Sequence, residues 1–335
     1  MDLSIIIVNW NSANFLHECL RSIYSQVHDV EFEVIIVDNA SFDGSAELVK
    51  REFPRATFLQ AQENLGFGKA NNLGFTRSSG DLVLFLNPDT EVQGATIQTM
   101  VSHLRSLPNA AAMGCRLLNS DGSVQESAVQ AFPTISNQLF NSDLLRRRFR
   151  NWKFWGNAVL FRDCTEPVPV DMISGACLMV KRAAFEKVGQ FNSELFMYAD
   201  DLSLCYRLRR ADYSVCYDGT GKVIHHGGAS TALRDDQHFS AVLQRESLLC
   251  FFKDTRGRFY AWLYRLTLAG VAVFRVLLIP FMLPFWSRVA RNVSPAVAFA
   301  KWTRVLRWAL GLEAWAKNIA PALSSTEKSS TQTAR

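Results

Sequence analysis

Three short stretches of this chain carry the residues most able to do chemistry. The first is Asn87-Pro88-Asp89, which follows the apolar run Leu82–Leu86. An unbroken run of β-formers suits a strand covered on both faces of a parallel sheet, and the proline ends its ladder. A carboxylate is then left at the strand's carboxyl end, the edge where open α/β sheets bind ligands. Oxygen ligands there could hold a hard divalent cation against a diphosphate. The competing reading is a turn in which Asp89 bonds its own backbone. The second stretch, Asp200-Asp201, opens a segment whose Leu204, Leu208 and Ala211 recur at helical spacing. Acidic residues favour helix amino termini, yet two adjacent ones cannot both act as the cap. A carboxylate kept ionised there can accept a proton from an alcohol. The third is His225-His226 before Gly227-Gly228. A neutral imidazole is a borderline metal ligand, and the alternative is a hydrogen-bonded loop.

These residues need a scaffold, and the first half of the chain reads as one. Leu3–Val8, Phe32–Val37, Thr57–Gln60 and Leu82–Leu86 read as strands. Helices are expected over Ala13–Tyr24, Gly44–Phe53 and Lys69–Arg77, the last entered through the loop Asn64-Leu65-Gly66-Phe67-Gly68. Strands alternating with helices mean βαβ units and a Rossmann-like parallel sheet. Trp10 and Asp38, at the ends of adjacent strands, could stack on and hydrogen-bond a nucleobase; equally, they suit core packing and turn chemistry. Farther on, a helix over Gly94–Leu107, a strand near Ala111–Leu117, a helix over Arg182–Val188 and a strand near Ser214–Tyr217 are expected. Between them Ser120–Thr165, with Arg146-Arg147-Arg148, Trp152 and Trp155, is poorly periodic. It reads as an acceptor-facing loop or as a surface insertion.

Several classes lose their support. No GxGxxG follows the first strand and no GxxxxGK[ST] occurs, which removes the main signal of a dinucleotide dehydrogenase or P-loop NTPase. A nucleotidyltransferase usually cradles its triphosphate with an amino-terminal glycine-rich basic loop, and Leu3–Ser12 has neither glycine nor a basic residue. Seven cysteines, an odd number without a CxxC pair, argue for reduced thiols in the cytosol and against a zinc site. MDLSIIIVNW lacks a basic n-region and a full apolar core, so no signal peptide is expected there. No nucleic-acid partner is expected.

Taken in order, these motifs resemble the family 2 inverting glycosyltransferases, and among them the bacterial rhamnosyltransferase-like branch that builds cell-surface polysaccharides. The likeness runs through Ser4–Asn11, Val37–Ser41 with Asp43-Gly44-Ser45, Asn64–Phe67, Leu86–Asp89, Ser174-Gly175-Ala176, Tyr198–Leu202 and His225–Gly228, covering Ser4 to about Ser230. It implies a GT-A fold, a nucleotide-sugar donor, a saccharide acceptor that is polyprenyl-linked, and Mg²⁺ or Mn²⁺. On the matching positions, Trp10, Asp38, Asn39, Gly66, Lys69 and Asn87 fall at the donor site. Asp89 matches the second acid of the DxD metal motif, His225 a histidine that completes the metal site in some members, and Asp201 the general base. The chain departs from the pattern at Asn87, where many members carry the first Asp, at Asp200 in place of Glu, and at Ser203 in place of an acid. The rival classes are a nucleotidyltransferase and a catalytically inactive GT-A sugar-binding or assembly subunit.

The carboxyl end has a character of its own. From Phe251 there are 13 Lys+Arg against 3 Asp+Glu, whereas the rest holds 23 against 28, and five of the 8 tryptophans lie there. Phe259–Trp286 is mostly apolar, but Arg265 and Arg275 interrupt it and Pro280 and Pro284 break its second half. Its longest uncharged run, Val276–Ser287, falls short of the roughly 18 residues of a membrane span. Trp302, Leu306, Ala309 and Leu310 mark a second apolar stripe. In-plane helices on the cytoplasmic leaflet are expected, with helices packed on the core or in a homo-oligomer as the alternative. The domain reading is therefore a GT-A catalytic domain over 1–250, a basic membrane-associating helical region over 251–323 and a disordered tail over 324–335.

Overall fold

The computed structural model describes residues 1–140, 145, 148–149, 152, 154–162, 164–227, 239–286 and 294–317. Arg146, Arg147, the Gly228–Ser230 end of the histidine motif and the tail over 324–335 lie outside the described residues. The chain divides into two compact units. The first holds most of residues 1–233, and the second collects Pro133–Ser142, Met197–Ala199 and the chain from Arg234.

The first unit opens with β1 (Leu3–Asn9), α1 (Ala13–Gln26), β2 (Phe32–Asp38), α2 (Ser45–Glu52), β3 (Thr57–Gln60), α3 (Phe67–Phe75) and β4 (Leu82–Leu86). Ile5, Ile6 and Ile7 are all fully buried, as are Leu84 and Phe85. Consecutive buried residues mean that both sheet faces are covered, which is why these strands show no polar alternation. The expected strands and helices stand here, α3 beginning at Phe67 instead of Lys69. After them come β5 (Thr90–Gln93), α4 (Thr96–Ser106), β6 (Ala110–Leu118) and β7 (Val129–Gln130). The second unit contributes α5 (Ile135–Leu139). The first then resumes with β8 (Val168–Val170), β9 (Met172–Ile173), β10 (Cys177–Lys181), α6 (Arg182–Lys187), α7 (Asp200–Arg210) and β11 (Ser214–His225).

Among the described residues one nine-stranded sheet runs β3-β2-β1-β4-β10-β6-β11-β5, with β8 added on β11. β3, β2, β1 and β4 are parallel, and β10 lies antiparallel between β4 and β6. β11 is parallel to β6 and antiparallel to β5. Two of these strands correct the sequence reading. β5 has only four residues, three of them polar, too short for a periodicity signal. β11 extends well past Tyr217, because the register slip between Asp218 and Lys222 absorbs Gly219-Thr220-Gly221, which read as a break. His225 is thus the last strand residue, paired with Thr90, and not part of a loop.

The second unit is helical. α8 (Phe239–Met282) runs across position 250 and is kinked at Gly257, whose φ of 85° only glycine adopts freely. α9 (Pro295–Ala309) is capped by Ser294, which accepts a bond from the Val297 amide at 3.3 Å, and packs along α8. Its buried side is Val305 and Trp308, not the stripe ending at Leu310, which is exposed. Trp308 meets Tyr264 edge-on and donates to Glu246 Oε2 at 2.6 Å.

Candidate active site

The carboxyl ends of β1, β2 and β4 form one edge, and chemistry collects along it. Asn9 and Asp38 are paired in register there. Asp38, fully buried, accepts bonds from Asn9 Nδ2 at 2.7 Å, Gln60 Nε2 at 2.7 Å and the Ser41 amide at 2.8 Å. The carboxylate is therefore held rigidly at the wall of a cavity of about 370 Å³ lined also by Ser41, Phe42, Ser45 and Gln60. Phe42, 78% exposed, offers this polar cleft an aromatic face. Trp10 follows β1 and is half-buried. Sequence reasoning missed Asn9, Phe42 and Gln60; only their positions at strand ends and in the following turn mark them.

Asn39 and Gly66 are spent on each other. The Asn39 amide donates to Gly66 O at 3.1 Å and accepts from the Leu65 amide at 3.3 Å, which fixes the loop ahead of α3. Gly66 itself has φ 80° and ψ −172°, and a Cβ there would lie 2.2 Å from Phe196 O. Lys69, in the first turn of α3, is exposed and has no ion-pair partner among the described residues.

Past β4, Asn87, Asp89 and His225 come together. His225 Nε2 lies 3.3 Å from Asp89 Oδ1 and 3.2 Å from Asn87 Nδ2. The β5–β11 pairing is what closes this cluster, since it sets His225 opposite Thr90. On its other side the ring meets Gln125 Oε1 at 2.7 Å through Nδ1. An amide oxygen can only accept, so Nδ1 carries a proton toward Gln125, which fixes the ring with Nε2 turned to Asp89 and Asn87. Burial alone would push the Asp89 carboxyl up, but the adjoining His225 ring outweighs it and holds the group below the ordinary carboxylate range. A carboxylate oxygen and a ring nitrogen 3.3 Å apart are bridged either by the Nε2 proton of an imidazolium or, when that proton is absent, by a cation. Adjacent ligands of an octahedral cation stand about 3 Å apart at metal–ligand distances of roughly 2.1 Å. Asp89 and His225 are therefore spaced as two adjacent ligands of a divalent cation would be, while the Asn87 Nδ2 group faces the same ring nitrogen. Gln125 was missed by sequence reasoning, as it lies 100 residues from its partner.

Asp201 lies in the first turn of α7. Its Oδ2 accepts from the Gly175 amide and its Oδ1 from the Leu202 amide, both at 2.8 Å. A Cβ at Gly175 would stand 3.4 Å from the Asp201 side chain and 3.2 Å from the Phe67 ring, a tight fit at this approach. One residue on, Ala176 O accepts from the Asn87 amide at 3.0 Å. The Ser174–Ala176 step thus bonds Asp201 on one side and the cation-site strand end on the other. Burial raises the Asp201 pKa, with the two backbone bonds pulling against it. Asp200 is buried and is pushed well above the ordinary range by burial and then by Asp201, with the Gly68 backbone pulling against them.

A sheet edge that combines a buried-carboxylate cleft, a carboxylate–imidazole pair and a helix-start aspartate has the GT-A architecture of glycosyltransferases. Residues 4–189 match the model of Glycosyl transferase family 2, and the chain belongs to that family. It is 29% identical over 286 residues to the N-acetylglucosaminyl-diphospho-decaprenol L-rhamnosyltransferase of Mycobacterium tuberculosis, covering 82% of this chain and 91% of that one. It is 30% identical over 269 residues to the low-salt glycan biosynthesis hexosyltransferase Agl10 of Haloferax volcanii, covering 78% and 75%. The mannosyltransferase PcManGT from Pyrobaculum calidifontis, solved with GDP-Man and Mn²⁺, superposes with a TM-score of 0.55 over 92% of this chain and 86% of that one. At 18% identity that likeness is one of fold. The family resemblance and the fold expected from the motifs are both borne out.

Proposed function

We propose that this chain transfers a sugar, rhamnose in the first instance, from a nucleotide-sugar donor to a hydroxyl of a polyprenyl-linked saccharide, with inversion, at the cytoplasmic face of the membrane. The observation that carries the reading is the Ser174–Ala176 step, which ties Asp201 to the strand end bearing Asn87 and Asp89. A proton acceptor and a leaving-group site are thereby held in one rigid frame. The rhamnosyltransferase relative, named for a decaprenol-linked acceptor, supports the choice of sugar and acceptor.

In this reading the Asp38 cleft receives the nucleobase, with Phe42 and Trp10 as aromatic faces. Asp89 and His225 would hold Mg²⁺ or Mn²⁺, which when bound neutralises charge on the departing nucleoside diphosphate. Gln125 keeps the His225 lone pair turned toward that position. Asp201 takes the proton from the acceptor hydroxyl as its oxygen attacks the anomeric carbon from the side opposite the leaving group. Its raised pKa makes it a stronger acceptor than an ordinary aspartate. The small Gly175 beside it leaves room for the acceptor to approach.

The test is a screen of dTDP-rhamnose, UDP-sugars and GDP-sugars for nucleoside diphosphate release, with and without EDTA, in the presence of a polyprenyl-diphosphate saccharide. Divalent-dependent release coupled to a glycosylated lipid is expected. Pyrophosphate as the product would replace the reading with nucleotidyl transfer. Donor binding without turnover on any acceptor would make the chain an assembly subunit.

A further inference from the structure

The second unit carries a surface that sugar transfer leaves unused. From Phe259 to Pro284 every exposed residue is uncharged, with Phe259, Trp262, Leu266, Phe274, Leu277 and Phe281 among the large ones. Phe259 and Phe281 are 75% and 78% exposed, and at 1.5 Å per residue they lie about 33 Å apart along the helix. The two arginines that interrupt this stretch in the sequence are turned away from it. Arg265 donates to Ala309 O at 2.9 Å and Trp308 O at 2.8 Å, satisfying carbonyls at the α9 carboxyl end. Arg275 lies over the Trp302 ring, 4.3 Å from its centroid. α9 thus removes both charges from the outer face and leaves it continuous.

We infer that this face of α8 is a bilayer-docking surface that seats in the plane of an anionic lipid leaflet. Protein interfaces carry roughly one hydrogen bond per 100–200 Å², and the only donor among the large exposed side chains of this face is the Trp262 indole. Thr267 turns its hydroxyl back onto Leu263 O at 2.9 Å. Hydrocarbon asks for no such partners. A span, by contrast, would be ringed by lipid, and here the opposite side of α8 holds Arg265 and Arg275 and packs on α9, whose Lys301 and Arg307 are exposed. Just before the face, Lys253, Asp254, Arg256 and Arg258 are exposed, a cluster of net charge +2 that complements anionic headgroups. Trp302 and Trp308 are in the helix packing, and Trp262 alone of the three faces outward.

This surface deepens the membrane location proposed above, and the test separates the two. Full-length protein is floated through a density gradient with phosphatidylcholine vesicles, with and without phosphatidylglycerol. Wild type should float with the anionic vesicles, lose part of the binding in high salt, and be stripped by carbonate. A variant with Phe274→Asp and Leu277→Asp, checked for an unchanged thermal melt, should float about tenfold less or worse. Bromine near the headgroup end of the acyl chains should quench wild type more than a Trp262→Phe variant. Equal flotation of both proteins, or none by wild type, overturns the inference. Retention after carbonate replaces it with a span, and a dimer in light scattering that the Asp pair dissolves assigns the face to a second copy. Turnover on a water-soluble saccharide acceptor is measured alongside, so a transferase failure and a docking failure are read independently.

Discussion

Replacing Asp201 with asparagine removes the proton acceptor while keeping its shape, and the structure bounds what else changes. The carboxylate accepts two amide bonds, from Gly175 and from Leu202. Asparagine can accept one of them through its oxygen and must face the other with an NH₂ group, a loss of about 1 kcal/mol. Against this, the variant relieves a buried charge that also pushes Asp200 upward. The two effects oppose, so stability should change by less than about 1 kcal/mol, a shift of roughly 2–4 °C at most in a unit of this size. Catalysis should respond on another scale. Losing a general base lowers turnover by about 10²–10⁴-fold, which is about 2.7–5.4 kcal/mol of transition-state stabilisation. Nucleoside diphosphate release under saturating donor and acceptor gives kcat, calorimetry gives the donor Kd, and a thermal melt controls for folding. Donor affinity and melt should hold while kcat collapses. The pH profile adds a second reading. A protonated base is inactive, so wild-type kcat/KM should fall as pH falls, with a midpoint above the ordinary aspartate value of 3.8. Turnover close to wild type in Asp201→Asn refutes the assignment.

Gln125→Leu should weaken Mn²⁺ binding by about 10–100-fold, the usual effect of losing the group that orients a ligating histidine. Gln125→Glu, which still accepts from Nδ1–H, should restore it; an unchanged Mn²⁺ titration of the Leu variant by electron paramagnetic resonance refutes the role. Asp200 has a folded-state pKa above its unfolded value, so the stability its protonated form provides is full below 3.8 and is lost as pH rises through the folded value. The melting temperature of Asp200→Asn relative to wild type should therefore be more favourable at pH 8 than at pH 5, and an equal offset at both would contradict this. Gly66→Ala meets a glycine-only backbone conformation and Phe196 O, so it should destabilise by at least about 1–3 kcal/mol in urea unfolding.

Much of this site is legible from local sequence, and what is not has a physical reason. β4 and the Asn-Pro-Asp turn announce themselves because a doubly covered strand is a continuous apolar run and proline ends it. Asp201 shows because helical spacing begins right after it. The partners of these residues are set by pairing across the sheet, which leaves no local trace. Nothing near Gln125 points to His225, and nothing near Asn9 points to Asp38 beyond a shared place at strand ends. His225 itself read as a loop residue because Gly219 and Gly221 interrupt a strand whose register slip accommodates them. Arg265 and Arg275 read as breaks in an apolar face, since the helix that turns them inward comes later in the chain.

That last feature has a consequence for how the protein is made. The carbonyls that engage Arg265 belong to residues 43 and 44 positions downstream. At 5–20 residues per second, a ribosome takes about 2–9 s to add them. Throughout that interval the emerging helix displays unpaired guanidinium groups within its apolar stretch, and a translocon would meet a segment poor in insertion energy. Only when α9 has been synthesised and folded back does the uncharged face become continuous. The order of synthesis thus makes completion of that face a late event, one that follows the pairing of α8 with α9.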